Sequence, residues 1–154
     1  MTIRYDHDVL IERPVEKVYS FVSDVANAPR WMPWADETVV IDGPEPAGVA
    51  EGQRRLITQT DFGIQTETVL EATRVEPGRR YTFESIEGPT DFQATYRFEP
   101  VEGGTRLTRS YLVEMPGGVA RILEPVIARR MRRRWQADMN RIKELLETDG
   151  RRSR

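Results

Sequence analysis

The chain has 154 residues, of which 38% are hydrophobic and 31% are charged, and its formal net charge at pH 7 is −2. This length fits one domain that buries about two thirds of its unfolded surface. The small net charge excludes the strong basic field of a typical nucleic-acid-binding protein. The chain contains no cysteine, which excludes disulfides, thiol nucleophiles and cysteine-ligated zinc. No apolar stretch approaches the ~20 residues of a membrane span, so the cytoplasm is the simplest location.

The first part of the chain predicts a strand followed by two helical segments. Apolar and polar residues alternate from Ile3 to Ile11, as in a half-buried strand. Apolar residues then recur at helical spacing from Pro14 to about Val25, and proline suits the first turn of a helix. Two tryptophans and two prolines between Asn27 and Trp34 indicate a second short helical turn that ends at Pro33.

The central part predicts short strands joined by tight turns rich in glycine and proline. These turns are too short for crossover helices, so the strands form an antiparallel meander and a doubly wound nucleotide-binding fold is excluded. The predicted strands are 38–41, 53–62, 64–76, 79–86, 92–99 and 106–114, with a Gly-Pro-Glu-Pro-Ala-Gly turn at 43–48.

One long helix closes the chain after Pro116-Gly117-Gly118, and we expect it from Val119 to Glu147, with a kink or break at Pro125. A basic tail at 149–154, predicted to be disordered, follows a single domain at 1–148. At 100° per residue, one stripe of the helix is apolar, with Asp138 inside it and Arg134 near its edge. The stripe residues are Ala120, Leu123, Ile127, Met131, Trp135, Ile142, Leu145 and Leu146. A long sheet must bury one face, so the pattern predicts an α+β fold in which a curved sheet grips this helix around a partly polar hollow.

Three segments carry a family resemblance. Residues 11–19 (Ile-Glu-Arg-Pro-Val-Glu-Lys-Val-Tyr) join the opening strand to a helix that starts at proline, Trp31-Met32-Pro33-Trp34 follows the second turn, and Gly104-Thr105-Arg106-Leu107-Thr108 starts the last strand. Together they resemble the START-like (SRPBCC) helix-grip superfamily, which includes the birch-pollen allergen fold, and most of all its bacterial polyketide cyclase/dehydrase-like branch. The resemblance implies a helix-grip fold with two short helices after the first strand and an internal cavity. It implies neither a fixed catalytic set nor a cofactor.

Aromatic residues supply most of the candidate ligand contacts. Trp31 and Trp34, which the resemblance places near a cavity mouth, either line the cavity or plug the core. The strand aromatics share one face within each strand, and this face is both core and ligand wall. The predicted ligand contacts are Trp31, Trp34, Phe83, Phe92, Tyr96, Arg109, Tyr111, Met131, Trp135 and Asp138.

Polar residues on the same faces supply the candidate chemistry, because burying them without partners costs several kcal/mol. Arg109 lies between Leu107 and Tyr111, and Asp138 lies on the apolar stripe of the last helix. The two either bind a polar ligand head or pair with each other, and a purely structural ion pair is the alternative. Arg109, Asp138 and Tyr96 are the candidate catalytic residues. Thr66, Thr68 and Ser85 also lie at alternate strand positions, on the same face as apolar neighbours.

Other reaction types are not favoured. His7 is the single histidine, and the sequence gives it no orienting carboxylate, so a packed or surface position is expected. No G-x-S-x-G motif, metal-ligand spacing or phosphate-binding glycine loop occurs. We expect no metal and no cofactor.

Three functions stay open at this point. The first is binding of a lipid, quinone or polyketide-like molecule, and the second is a polyketide aromatase/cyclase or dehydratase. The third is a protein-interaction module that uses the arginine-rich face of the last helix, which either is simply solvated or docks an acidic partner such as an acyl-carrier protein, or anionic lipid. The arginines are Arg129, Arg130, Arg132, Arg133, Arg134 and Arg141. The chain is expected to be a monomer or a homodimer.

Overall fold

A computed structural model describes residues 2–43, 48–61, 63–114 and 119–152 of the chain. The elements in chain order are β1 (Thr2–Ile11), α1 (Val15–Ser23), a 3₁₀ turn (Val25–Asn27), α2 (Ala28–Trp31), β2 (Ala35–Asp42), β3 (Arg54–Asp61), β4 (Ile64–Glu76), β5 (Arg80–Glu87), β6 (Asp91–Val101), β7 (Gly104–Glu114) and α3 (Val119–Arg152). The seven strands form one curved sheet with the order β1-β7-β6-β5-β4-β3-β2, and all neighbouring strands are antiparallel.

The predicted helix-grip architecture is confirmed. Strands β2 to β7 form a meander, and β1 pairs with β7 along its whole length. Helix α3 packs against β1, α1 and α2, so its buried side lies over the inner face of the sheet. The core contains Ile11 of β1, Val18 of α1, Leu107 of β7, and Met139 and Ile142 of α3, all almost fully buried. Burying these side chains on one face stabilises the packing of helix on sheet by about 25 cal/mol per Å² of apolar area.

Helix α1 ends at Ser23, two residues before the predicted end. The carboxylate of Asp24 accepts a hydrogen bond from the backbone N–H of Ala26 at 3.0 Å, which caps the following 3₁₀ turn. Acidic side chains favour such cap positions over a helix interior because they compete for backbone donors. The chain therefore changes direction at Asp24, and α2 presents Trp31 to the sheet.

Helix α3 differs from its prediction in three respects. It is continuous through Pro125, so the predicted break does not occur, and it reaches Arg152, five residues beyond Glu147. The stripe is well covered only in the second part of the helix, since Leu123 is 52% exposed whereas Trp135 is 6% exposed. Several predicted features lie outside the described residues: the turn residues 44–47, Pro116-Gly117-Gly118, the side chain of Ala120 and the last two residues of the tail.

Candidate functional site: an aromatic cavity with a buried arginine

A cavity of about 170 Å³ lies between the inner face of the sheet and the three helices. Strands β2 to β7 contribute side chains at alternate positions, because successive residues of a strand point to opposite faces. The predicted aromatic contacts and the predicted methionine all line this cavity: Trp31, Trp34, Phe83, Phe92, Tyr96, Tyr111, Met131 and Trp135. These include all three tryptophans of the chain. Thr66 and Thr68 also line it as predicted, whereas the Ser85 hydroxyl accepts the backbone N–H of Phe92 at 2.9 Å.

The aromatic side chains pack on one another and so hold the wall rigid. The rings of Tyr111 and Trp135 are stacked, with centroids 4.1 Å apart, and those of Tyr81 and Tyr96 are stacked at 4.8 Å. Burial raises the pKa of Tyr81 and that of Tyr111 well above 10, so both phenols stay protonated at neutral pH. The wall is therefore apolar with a few neutral hydroxyl groups.

Arg109 and Asp138 meet as the sequence suggested, but behind the wall and not on it. An Arg109 Nη atom lies 3.3 Å from Asp138 Oδ2, and both side chains are buried. The guanidinium carbon lies 4.6 Å from the Tyr111 ring, 5.6 Å from the Tyr96 ring and 5.8 Å from the Trp31 ring. Neither Arg109 nor Asp138 is among the residues that line the cavity.

The indole N–H of Trp34 completes the surroundings of Asp138. It donates to both carboxylate oxygens, at 3.1 and 2.9 Å. Burial raises the pKa of Asp138, while Arg109 and Trp34 act in the opposite direction. The carboxylate is thus held by one cation and one indole, so its first role is to neutralise Arg109.

Several buried polar atoms around Arg109 have no hydrogen-bond partner among the described residues. They are Nε and one Nη of Arg109, Nε1 of Trp31 and the hydroxyl of Tyr5. Such atoms in folded proteins are commonly satisfied by buried water, which makes about three hydrogen bonds per molecule. These atoms are therefore groups that an ordered water molecule would satisfy.

The sequence analysis missed Arg55, the one cation deep in the cavity wall among the described residues. Its side chain is 7% exposed, and its guanidinium carbon lies 5.1 Å from the Phe83 ring centroid. It donates to the Gln53 side chain at 2.9 Å and to the backbone oxygens of Ser23 and Gly48 at 2.8 and 3.2 Å. No carboxylate among the described residues lies within ion-pair distance. Burial lowers the pKa of Arg55, but an arginine stays protonated at neutral pH.

The alternation around Arg55 is ambiguous, which is why the sequence did not reveal it. Arg54 and Arg55 are adjacent, and the inward positions 55, 57 and 59 carry Arg, Ile and Gln, a sequence without apolar periodicity. The inward position of Arg55 follows from its pairing with Leu70 on β4 and Val40 on β2. To see this pairing, one must know the register of three strands.

The mouth of the cavity lies at the end of β3, where the lining residues become partly exposed. Gln59 is four residues, or about 13 Å along the strand, from Arg55. Arg134 of α3 reaches across and forms an ion pair with Asp61 at 2.9 Å, and its guanidinium carbon lies 5.1 Å from the Trp34 ring centroid. The Arg134 hydrogen bond lowers the pKa of Asp61. This contact ties α3 to the β3–β4 hairpin beside the opening.

The sequence of the chain matches a known protein family. A family model described as polyketide cyclase / dehydrase and lipid transport matches residues 2–147. The chain belongs to this family. As a member of the polyketide cyclase / dehydrase and lipid transport family, it has the START-like helix-grip fold that its sequence predicted.

Solved structures of other proteins have the same fold as this chain. TTHA0849 from Thermus thermophilus is 17% identical, with 97% of this chain and 99% of that one covered and a TM-score of 0.78. The Zhui aromatase/cyclase from Streptomyces sp. R1128 is 18% identical, with 100% and 97% covered and a TM-score of 0.76. The di-domain aromatase/cyclase StfQ of the steffimycin pathway is 14% identical, and the match spans 97% of this chain and 52% of that one, with a TM-score of 0.75. No curated protein shows significant sequence similarity.

The described part of this family member contains no cluster of three or more histidine, aspartate or glutamate side chains placed to hold a metal ion. No described helix is both long and apolar enough to cross a membrane. His7 lies on β1 opposite Arg109, half-exposed, with its ring 6.0 Å from that of Tyr5. Its imidazole has no carboxylate partner among the described residues, so the geometry assigns it no acid–base role.

Proposed function

We propose that this protein binds a small aromatic or otherwise unsaturated molecule that carries a hydrogen-bond-accepting oxygen. The observation that carries the proposal is Arg55: a guanidinium deep in an aromatic wall, with no carboxylate partner among the described residues. Taking a cation out of water costs free energy that an anionic or carbonyl oxygen would offset. The ligand's oxygen would therefore lie at Arg55, with its ring against Phe83.

The size and chemistry of the wall limit the ligand class. A cavity of about 150 Å³ in another protein accommodates benzene, so the 170 Å³ measured here suits one or two fused rings, with any longer part leaving through the mouth. Apart from Arg55 and Arg134, the wall offers threonine and tyrosine hydroxyls and the Gln59 amide. These groups hydrogen-bond to neutral oxygens and support a ketone, phenol, quinone or carboxylic acid. A plain hydrocarbon chain would offer Arg55 no oxygen beyond the three neutral acceptors that the protein supplies.

Binding is favoured over catalysis by the absence of a base in the wall. No aspartate, glutamate or histidine is among the described residues that line the cavity. General base catalysis needs a group of suitable pKa within about 3 Å of the proton it removes. Asp138, the nearest carboxylate candidate, is paired with Arg109 behind the aromatic rings. The candidate catalytic roles of Arg109 and Asp138 therefore gain no support from their positions, whereas Tyr96 lines the cavity.

A second candidate is ring closure of a polyketide-like substrate by positioning. Arg55 would stabilise an enolate oxygen, and the Tyr96 hydroxyl in the same wall would donate a hydrogen bond. The family description and the fold shared with aromatase/cyclases support this candidate at the level of class. Delivery of such a substrate by an acyl-carrier protein, and a location in the cytoplasm, are further proposals.

The test of the proposed function is native mass spectrometry of the purified protein, joined to extraction and identification of any bound molecule. Because all three tryptophans line the cavity, a bound aromatic ligand is also expected to quench most of the intrinsic fluorescence. A saturable quench by one- or two-ring oxygenated aromatics supports the proposal. A chain that carries no ligand and shows no saturable quench across such a panel would contradict it. Turnover of the bound molecule would favour the cyclase candidate.

A further inference from the structure

The first turns of α3 expose large apolar side chains that the core does not use. Ile122 is 81% exposed, Val126 is 68% exposed and Leu123 is 52% exposed. Single exposed apolar residues are common on protein surfaces, but three within five residues of one helix form a patch. Trp135 and Met139, on the buried side of the same helix, are almost fully covered. The first turns of α3 therefore present an apolar surface to their surroundings.

Arginines continue the same face of the helix. At 100° per residue, Ile122, Val126, Arg129 and Arg133 lie within about 60° of one another around the helix axis. Residues 122–134 contain five arginines and one acidic residue, Glu124, in a chain whose overall charge is −2. Arg129, Arg132 and Arg133 are exposed, whereas Glu124 is buried. The outer face of α3 is thus apolar at its start and basic after about 10 Å along the axis, at 1.5 Å per residue.

This face shares its turns with the part of α3 that lines the cavity, but it lies on the opposite side of the helix. Met131 and Arg134 line the cavity from the same helix, on the turns that carry Arg129 and Arg133. The other arginine predicted for this face, Arg141, is half-buried and donates to the backbone oxygen of Trp31 at 3.5 Å, so the exposed basic surface ends before it. The exposed apolar and basic side chains are therefore concentrated on the outer side of the first turns of α3, up to the turns that line the cavity.

We propose that the outer face of α3, defined by Ile122, Val126, Arg129 and Arg133, docks on an anionic lipid surface. The apolar side chains enter the boundary between headgroups and acyl chains, and the arginines contact anionic headgroups one to two turns further along. Charge complementarity selects an anionic surface, and the apolar tip selects a bilayer over a purely polar acidic partner. Docking stands apart from the proposed function. Its consequence, transfer of an apolar ligand between membrane and cavity, depends on that function.

The test is flotation of the purified protein with vesicles of phosphatidylcholine alone and of 70% phosphatidylcholine with 30% phosphatidylglycerol. The wild-type protein is expected to float with the anionic vesicles and to dissociate as salt is raised. The Ile122→Ser/Val126→Ser variant should bind at least about tenfold more weakly. The Arg129→Ala/Arg133→Ala variant should lose about thirtyfold. These side chains are exposed, so both variants should keep the wild-type melting temperature.

Matched controls carry the same changes at the far end of the molecule. Ile41→Ser changes an exposed apolar residue of β2, and Arg79→Ala/Arg97→Ala removes two exposed arginines. Both controls should bind vesicles like the wild-type protein. No flotation with anionic vesicles, equal flotation with neutral ones, or equal losses in the control variants would each overturn the proposal. Binding to a purified acyl-carrier protein without binding to vesicles would also overturn it and would assign the face to an acidic protein.

Ligand transfer is measured separately from docking. A variant that binds oxygenated ligands more weakly, such as Arg55→Met, should still float with anionic vesicles. Failure of the ligand titrations with intact flotation would contradict the proposed function and leave docking supported. If the protein binds ligands in the titrations but does not float with anionic vesicles, docking is contradicted and the proposed function stays supported.

Discussion

Asp138 on α3 and Arg109 on β7 form a buried ion pair, with 3.3 Å between the Arg109 Nη atom and Oδ2 and exposed fractions of 1% and 0%. The pair joins the long helix to the middle of strand β7, behind the cavity wall. Trp34 donates to the same carboxylate, so the pair also fixes a side chain at the cavity mouth. A structural role follows from this geometry, because each charge already has its counter-charge within the protein before any ligand arrives.

Replacing one partner of this pair should destabilise the fold strongly. Asp138→Leu leaves Arg109 buried without a counter-charge, and we expect the free energy of unfolding to fall by about 3–5 kcal/mol in urea denaturation. The Arg109→Met/Asp138→Leu double variant removes both charges and should lose less than the single one. Asp6→Asn, at the exposed pair with Arg4, should change stability by no more than about 1 kcal/mol. A double variant less stable than Asp138→Leu would contradict this account.

The buried phenols should make the fold sensitive to alkali. Burial raises the pKa of Tyr81 and that of Tyr111 well above 10, whereas tyrosines of the unfolded chain titrate near 10. Above pH 10 the unfolded state therefore loses protons that the folded state keeps, and the free energy of unfolding falls with rising pH. Each phenol contributes up to about 1.4 kcal/mol per pH unit until its folded pKa is reached.

Urea denaturation at pH 8, 10 and 11 measures this alkaline loss. The Tyr81→Phe and Tyr111→Phe variants should each show a shallower decline than the wild-type protein, since Phe has no proton to release. An unchanged slope in the variant that carries both substitutions would show that these phenols are not the cause.

The ion pair between Arg134 and Asp61 should slow ligand exchange at the mouth. Both side chains are partly exposed, so the pair contributes at most about 1 kcal/mol, and Asp61→Asn should speed ligand release up to about fivefold in stopped-flow fluorescence. Asp8→Asn, at an exposed pair far from the mouth, is the control.

The pH dependence of release follows from the pKa of Asp61. The Arg134 hydrogen bond lowers this pKa below the unfolded value of about 3.9, so the contact is intact above that value and is lost as pH falls through the folded pKa. Release by the wild-type protein should then approach that of Asp61→Asn only as the pH falls through this lowered pKa of the folded state. If the wild-type protein and Asp61→Asn released ligand at the same rate at pH 7, the ion pair of Arg134 with Asp61 would not control ligand release.

Most of the aromatic wall could be predicted from the sequence because its periodicity is strict. Tyr96 and Phe98 on β6 and Tyr111 on β7 alternate with polar residues, so their shared inner face follows from the strand alone. Asp138 falls on the apolar stripe of α3, and its burial follows from the helical period.

Three features needed the three-dimensional arrangement. Arg55 lies where alternation is weak, and only the register of β2, β3 and β4 shows that it faces inward. Leu123 belongs to the apolar stripe of α3 by period, yet it is exposed, because periodicity shows which face of a helix is apolar and not how far the covering surface extends. The position of Arg109 behind the wall likewise depends on the rings of Tyr96 and Tyr111, which parity alone places on the same face.

The most direct test of the proposed function is a fluorescence titration with two ligands of similar shape, 2-naphthoate and 2-methylnaphthalene. If Arg55 anchors an oxygen, the wild-type protein binds 2-naphthoate at least about tenfold more tightly, and Arg55→Met abolishes this preference while the hydrocarbon affinity stays within about threefold. Arg55→Lys retains the charge and should retain part of the preference. Equal affinity for the two ligands in the wild-type protein, or an undiminished preference in a folded Arg55→Met variant, would contradict the role of Arg55 and with it the proposed ligand class.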